Sequence, residues 1–279
     1  MTPLTPEQHA FFDAFGYLHF PGLLSDRITA ITEAFEGIWA ANGGGHNGRP
    51  HDGQARSAMA QFVDRSPVLH TLLDDARTHD IFTSLIGDDF NYIGSDGNYF
   101  VGDSNWHSDS YGGRGGVMFI KMAFYLDPVT RDTGCLRVIP GSHRLGEPFA
   151  ELLQRDLRQC ETVWKVPGPA IPAVPLETVP GDVVVFNHAL KHAAFGGSSR
   201  RRMFTINACQ RFPAAALPAL REYIGYHSVY WVDQLYHDLL IDTATPARLV
   251  HLEQGMANDD HLPELSRQRR AEMAEPSRG

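Results

Sequence analysis

FNYIGSDGNYFV (90–101), GGVMFIKMAFYLD (115–127), GCLRVIP (134–140), GDVVVFN (181–187) and MFTINACQRF (203–212) are five runs of one texture. Each is short, rich in aromatic and β-branched residues, and bounded by Gly, Pro, Asp or Asn, which is the pattern of strands and turns. Several such runs in succession predict an antiparallel barrel or sandwich. Between the third and fourth, LGEPFAELLQRDLR (145–158) has helical periodicity and reads as an insertion between strands.

Outside this β region the pattern is helical. Thr5-Pro6-Glu7-Gln8 carries a cap residue, a proline suited to the first turn and a capping-box partner. Phe11, Phe12 and Phe15 follow at helical spacing, and Gly16 ends the run. Tyr17–Phe20 reads as a short strand. Ile28, Ile31, Phe35 and Ile38 define one face of a second helix, and helical patterning returns at 68–73 and 78–85. The glycine-rich NGGGHNGRPHD (42–52) reads as a surface loop or a lid, and residues 43–52 are expected to close over a bound substrate. After Phe212 the chain turns helical again and ends in a highly charged stretch, expected to be a solvated helix or frayed tail. The simplest organisation is one domain over 1–279: a mostly helical part (1–89), a β core (90–212) and a helical extension (213–279).

Composition narrows the function. The 279 residues are 43% hydrophobic and 20% charged, with a formal net charge of -9. That balance fits a globular chain and argues against nucleic acid or an anionic membrane as the main partner. A small-molecule substrate is the expectation. Cys135, Cys160 and Cys209 are odd in number and far apart, so no disulfide framework or cysteine metal site is expected. No apolar run is long enough for a transmembrane helix, and the first residues lack the features of a secretory signal. The reading is a cytoplasmic protein.

The chemistry concentrates around Trp106-His107-Ser108-Asp109. In an extended segment, residues i and i+2 point to the same face, so His107 and Asp109 project together. One imidazole and one carboxylate make two-thirds of a facial triad of the kind that holds non-haem iron and leaves positions open. In a chain with 14 histidines an HxD also arises by chance. After the turn and strand at 181–186, His188 and His192 are both available as the third ligand. Arg200-Arg201-Arg202 follow, and a guanidinium grips a carboxylate bidentately. The order of these features carries the reading: HxD, then a histidine beyond a Gly-Asp strand, then arginine.

At these residues the sequence resembles the phytanoyl-CoA dioxygenase family, in its ectoine-hydroxylase-like branch. The opening LTPEQHAFFDAFGYLHFPGLLS, the motif WHSD, DTGCLRVIPGSHR (132–144) and GDVVVFNHALKH (181–192) each look like family segments. The resemblance implies a mainly β fold, a double-stranded β-helix (jelly-roll) core with flanking helices. It also implies Fe(II), 2-oxoglutarate as cosubstrate, and O₂. The family's distal ligand lies eleven residues after the glycine, which selects His192 over His188. The ligand set is then His107, Asp109 and His192. Arg201 is the implied anchor for 2-oxoglutarate, with Arg202 as the alternative one residue on. The loop AAFGGSS before it is slightly shorter than the family's usual loop. Asp109 sets the chain apart from halogenases, which carry a small residue there. His143, in Pro-Gly-Ser-His, is read as structural.

Asn98, in a segment similar to one lining the ectoine hydroxylase pocket, is the candidate second cosubstrate contact. Asp96 and Lys121 are candidate substrate contacts. An inward Asp96 carboxylate favours an amine-bearing or cationic molecule, although Ser-Asp-Gly is also a common turn. The expected reaction is hydroxylation of an aliphatic C–H in a small polar molecule such as an amine, a zwitterion, a phosphonate or a natural-product intermediate. The rival reading is a metal-binding jelly roll without oxygenase chemistry, such as a cupin-like isomerase or binding module, which needs no arginine.

Overall fold

The computed structural model describes residues 4–110 and 115–279. Ten strands are seen among them: β1 (Tyr17–Phe20), β2 (Ser57–Ala60), β3 (Asn91–Phe100), β4 (Ser104–His107), β5 (Phe119–Tyr125), β6 (Leu136–Val138), β7 (Val174–Leu176), β8 (Val183–Asn187), β9 (His192–Ala194) and β10 (Arg201–Cys209). They form a six-stranded sheet, ordered β1-β8-β5-β10-β3-β2, and a four-stranded sheet, ordered β4-β9-β6-β7. Every pairing is antiparallel. The sheets face each other as the double-stranded β-helix that the sequence led us to expect.

Strand alternation sorts the side chains into layers. In β8, Val183 and Val185 join the large cluster between the six-stranded sheet and the helices, whereas Val184 and Phe186 point between the sheets. In β10, Phe204, Ile206 and Ala208 face the helices, while Arg201, Met203 and Thr205 face the cavity between the sheets. β5 behaves likewise, with Ile120, Met122 and Phe124 towards the helices and Lys121, Ala123 and Tyr125 towards the cavity. A third cluster, including Trp106, Leu153, Leu157 and Phe195, covers the outside of the small sheet. The helix Pro148–Asp156 supplies its Leu153, so the predicted insertion between strands becomes the cover of that face.

The N-terminal third is more intimately part of the sheet than its helical pattern suggests. β1 pairs with β8, and β2 pairs with β3. The helix Pro6–Phe15 carries the full capping box of Thr5 and Gln8, and Gly16 closes it at φ 83°. A Cβ on Gly16 would lie 2.5 Å from the His143 ring. His143 therefore packs against the helix end, which fits a structural role. No helix among the described residues is long and apolar enough to cross a membrane.

Candidate metal and cosubstrate site

β4 and β9 lie side by side in the small sheet, and their register places His107 directly opposite His192. Asp109 follows β4 by two residues and projects to the same side. One ligand atom from each of the three residues lies within 4.8 Å of the others. His107 Nδ1 is 2.7 Å from the carbonyl of Asn105, and His192 Nδ1 is 2.9 Å from that of Leu190. A carbonyl only accepts, so each Nδ1 carries a proton, and in the neutral ring the lone pair is left on Nε2. That tautomer suits a metal ligand, and the backbone fixes both ring orientations.

The electrostatics fit the same use. Burial and the neighbouring His107 push the His192 imidazole down to about 3, so it stays neutral. Burial raises the Asp109 carboxyl, but Lys121 and the surrounding imidazoles outweigh it and hold it well below the usual carboxylate range. Lys121 Nζ approaches Asp109 Oδ2 at 2.9 Å. The approach lacks hydrogen-bond geometry, and Oδ2 is buried without a hydrogen-bond partner among the described residues. Two imidazole Nε2 atoms and an ionised carboxylate whose Oδ1 lies 3.9 Å from His192 Nε2 form a donor set suited to a divalent cation of the iron type. His188 is not in this group: its Nε2 lies 3.1 Å from Asn207 Oδ1 and its ring packs on Phe119.

The three ligands line one cavity of about 340 Å³ together with Arg201. Arg201 is 3% exposed, and its Nε and Nη1 have no hydrogen-bond partner among the described residues. Burial lowers its pKa, with Tyr125 and Asp103 partly opposing. A buried guanidinium without a counter-ion is costly unless a ligand supplies one. Two glycines make room for it: a Cβ on Gly134 would fall 1.8 Å from Nη1, and one on Gly197 would fall 2.8 Å away. Arg202 points to the opposite face, where it meets Asp127 Oδ1 at 2.5 Å and Glu36 Oε1 at 3.1 Å. The period of two thus separates the neighbouring arginines, with only Arg201 facing the cavity.

The remaining expected residues fall around the other end. Asp96 lines the cavity, but three donors engage its carboxylate: Thr205 Oγ1 at 2.5 Å, Asn98 Nδ2 at 2.5 Å and Arg56 Nη2 at 3.4 Å. Asn98 is fully buried on the same face of β3 as Asp96, where its Oδ1 accepts from Arg56 Nε at 2.7 Å. It is not among the residues lining the cavity. The loop 42–52 does not reach this cavity either. Its His46 ring nitrogens lie 3.0 Å from the carbonyls of Ala58 and Pro276, and the loop borders a second cavity behind Ala58–Ala60. The expected lid is an anchored brace.

Sequence reasoning passed over Arg56, Tyr125, Tyr230, Gly134 and Gly197. Tyr125 was within reach, since it shares the alternation that turns Lys121 inward. Arg56 and Tyr230 come from segments with no periodic signal, and the two glycines matter only through a side chain remote in sequence.

A family model described as phytanoyl-CoA dioxygenase (PhyH) matches residues 12–204. Among curated proteins, an uncharacterised protein of Mycobacterium tuberculosis is 33% identical over 94 residues, which span 33% of this chain and 29% of that protein. Less than a third of the curated relative's length is therefore matched. Among solved structures, EctD from S. alaskensis in its apo form is 26% identical with a TM-score of 0.56, covering 75% of this chain and 78% of that one. The 2-oxoglutarate-dependent carbocyclase SnoK from nogalamycin biosynthesis is 23% identical with a TM-score of 0.58, covering 75% and 88%. HygX from Streptomyces hygroscopicus, with nickel and 2-oxoglutarate bound, is 18% identical with a TM-score of 0.56, covering 76% and 89%. The last two likenesses speak to the fold.

Proposed function

This chain belongs to the phytanoyl-CoA dioxygenase family, and we propose that it is an Fe(II)- and 2-oxoglutarate-dependent dioxygenase that hydroxylates an aliphatic C–H of a small polar molecule. The observation that carries this reading is the pairing, within one cavity, of a three-ligand cation site and a buried guanidinium that lacks a counter-ion. A jelly roll that only binds metal has no use for the second feature, so the cupin-like alternative is disfavoured.

His107, Asp109 and His192 would hold the iron. Bound there, the metal supplies O₂ activation coupled to oxidative decarboxylation of 2-oxoglutarate to succinate and CO₂. Arg201 takes the distal carboxylate of the cosubstrate in a bidentate, charge-assisted grip. Lys121, 2.9 Å from Asp109 Oδ2, would hold the carboxylate ionised and in place beside the two imidazoles. Asn98 accepts from Arg56 Nε and so orients that guanidinium away from the cosubstrate's own anchor at Arg201. The apolar walls at Ala123, Leu136 and Phe186 limit water at the reacting end.

The test is an anaerobic titration. A visible charge-transfer band that forms only when Fe(II) and 2-oxoglutarate are both present is expected, together with succinate release in air. H107A should lose both. Absence of the band in the wild type, or undiminished succinate from H107A, refutes the assignment.

A further inference from the structure

The outer end of the cavity is built partly by residues beyond the family match. Tyr226 and Tyr230 line it from the helical extension, opposite Arg56 and the short strand β2. Its polar groups are mismatched in a telling way. Asp96, the carboxylate at this end, already has three donors. The donors around it are less well served. Arg56 spends Nε on Asn98 and Nη2 on a long contact to Asp96, while Nη1 has no acceptor among the described residues. The Tyr230 hydroxyl likewise has no hydrogen-bond partner among them. Burial, with Asp96 adding to it, raises the pKa of that phenol, so it stays protonated and donates. Arg56 and Arg201 both lie against the Phe100 ring, each 4.7 Å from its centroid. One aromatic side chain therefore links two cationic ends of a single cavity.

We infer that the substrate carries a carboxylate, bound by Arg56 and Tyr230, on an apolar body lying against Met59, Ala58, Ala60 and the ring of Tyr226. This rests on the dioxygenase reading and narrows its substrate class. It also reverses the expectation drawn from Asp96 alone: a carboxylate saturated by three donors gains little from an incoming amine, which would instead meet Arg56. The planar fork of Arg56 matches a carboxylate. Asp96 engages only Nη2 of Arg56, at 3.4 Å, so Nη1 remains available to an incoming carboxylate.

The test compares matched probes on one ring: cyclohexanecarboxylate, cyclohexanecarboxamide, cyclohexylmethylamine and cyclohexylphosphonate. Binding to the full chain in the presence of 2-oxoglutarate is followed by ligand-observed NMR, and the Fe(II)–2-oxoglutarate band is recorded on the same preparation without O₂. The acid is expected to bind at least tenfold more tightly than the other three, a difference of about 1.4 kcal/mol. R56Q should weaken the acid at least tenfold and leave the band in place. Y230F, which removes one hydroxyl and keeps the ring, should weaken it several-fold. Equal or tighter binding of the amine, the amide or the phosphonate overturns the proposal. So does binding of the acid that is indifferent to both variants, or no binding by any probe while the band forms. If the wild-type band never forms, the dioxygenase reading itself has failed.

Discussion

Replacing Arg201 with Met separates two roles that a buried cation can play. In the ligand-free protein the guanidinium is 3% exposed, with two nitrogens unpaired. Exchanging such a charge for an apolar side chain of similar length is neutral or stabilising, by up to about 4 kcal/mol. Ligand-free R201M should therefore be at least as stable as the wild type. Binding should move the other way. Losing a bidentate, charge-assisted pair costs about 3–5 kcal/mol, which is about a hundredfold to a few thousandfold in Kd for 2-oxoglutarate. Thermal unfolding with and without the cosubstrate reads both effects. At a concentration a hundred times the wild-type Kd, the wild type should gain about 2.7 kcal/mol, and R201M almost nothing. R202A is the control. Its partners Asp127 and Glu36 are partly exposed, so it should cost about 1 kcal/mol or less and keep the full ligand shift. The reasoning is refuted if R201M is strongly destabilised without ligand, if it retains the wild-type ligand shift, or if R202A is the variant that loses it.

G134A tests the space around the same guanidinium. A Cβ 1.8 Å from Nη1, on a residue at φ 94°, should cost about 1–3 kcal/mol of stability and weaken 2-oxoglutarate at least tenfold; titration of the charge-transfer band checks it, and an unchanged Kd counts against the cradle. Asp64 offers a pH test away from the site. Burial raises its carboxyl to about 6 from an ordinary 3.8, the hydrogen bond from Tyr92 notwithstanding. The folded state thus binds the proton more tightly than the unfolded state. This contribution is fully present below about pH 4 and is lost as pH rises through 6, by about 3 kcal/mol. Urea unfolding of wild type and D64N at pH 4, 5 and 7 should show the wild type losing ground to D64N as pH rises, whereas parallel profiles would contradict the assignment. H46A should cost about 1–2 kcal/mol and loosen the segment 276–279. Hydrogen exchange at Ser277, whose amide donates to the Val229 carbonyl at 2.8 Å, should accelerate while the charge-transfer band persists.

What the sequence revealed follows the reach of its patterns. Period-two alternation is local, so the shared direction of His107 and Asp109, the inward Lys121 and the strand texture of β3, β5, β8 and β10 were legible. The choice between His188 and His192 was not local. It took the spacing from Gly181, set against a family pattern, and the β4–β9 register then placed His192 across from His107. Arg201 and Arg202 were indistinguishable in sequence because a strand always turns one of two neighbours inward. The phase became visible only once Phe204 and Ile206 were seen packing on the helices. Asp96 was legible as an inward carboxylate but not as a satisfied one, because its donors come from Arg56, Asn98 and Thr205 on three different strands or their flanks. Long-range partners also explain the loop 42–52, whose His46 is fixed by a carbonyl near the other end of the chain.

The rung that sets His107 opposite His192 also ties the metal site to the correctness of the fold. The two imidazoles lie far apart along the chain, and it is the pairing of β4 with β9 that brings them together. A metal ion offered to the nascent chain finds at most the short-range pair His107 and Asp109, too weak a grip to organise the rest. The metal site therefore depends on the β4–β9 register, which the hydrophobic clusters on either side of the sheet help to hold. A one-residue slip of β9 would turn His192 out of the cavity. Tight metal binding is thus a certificate of correct folding.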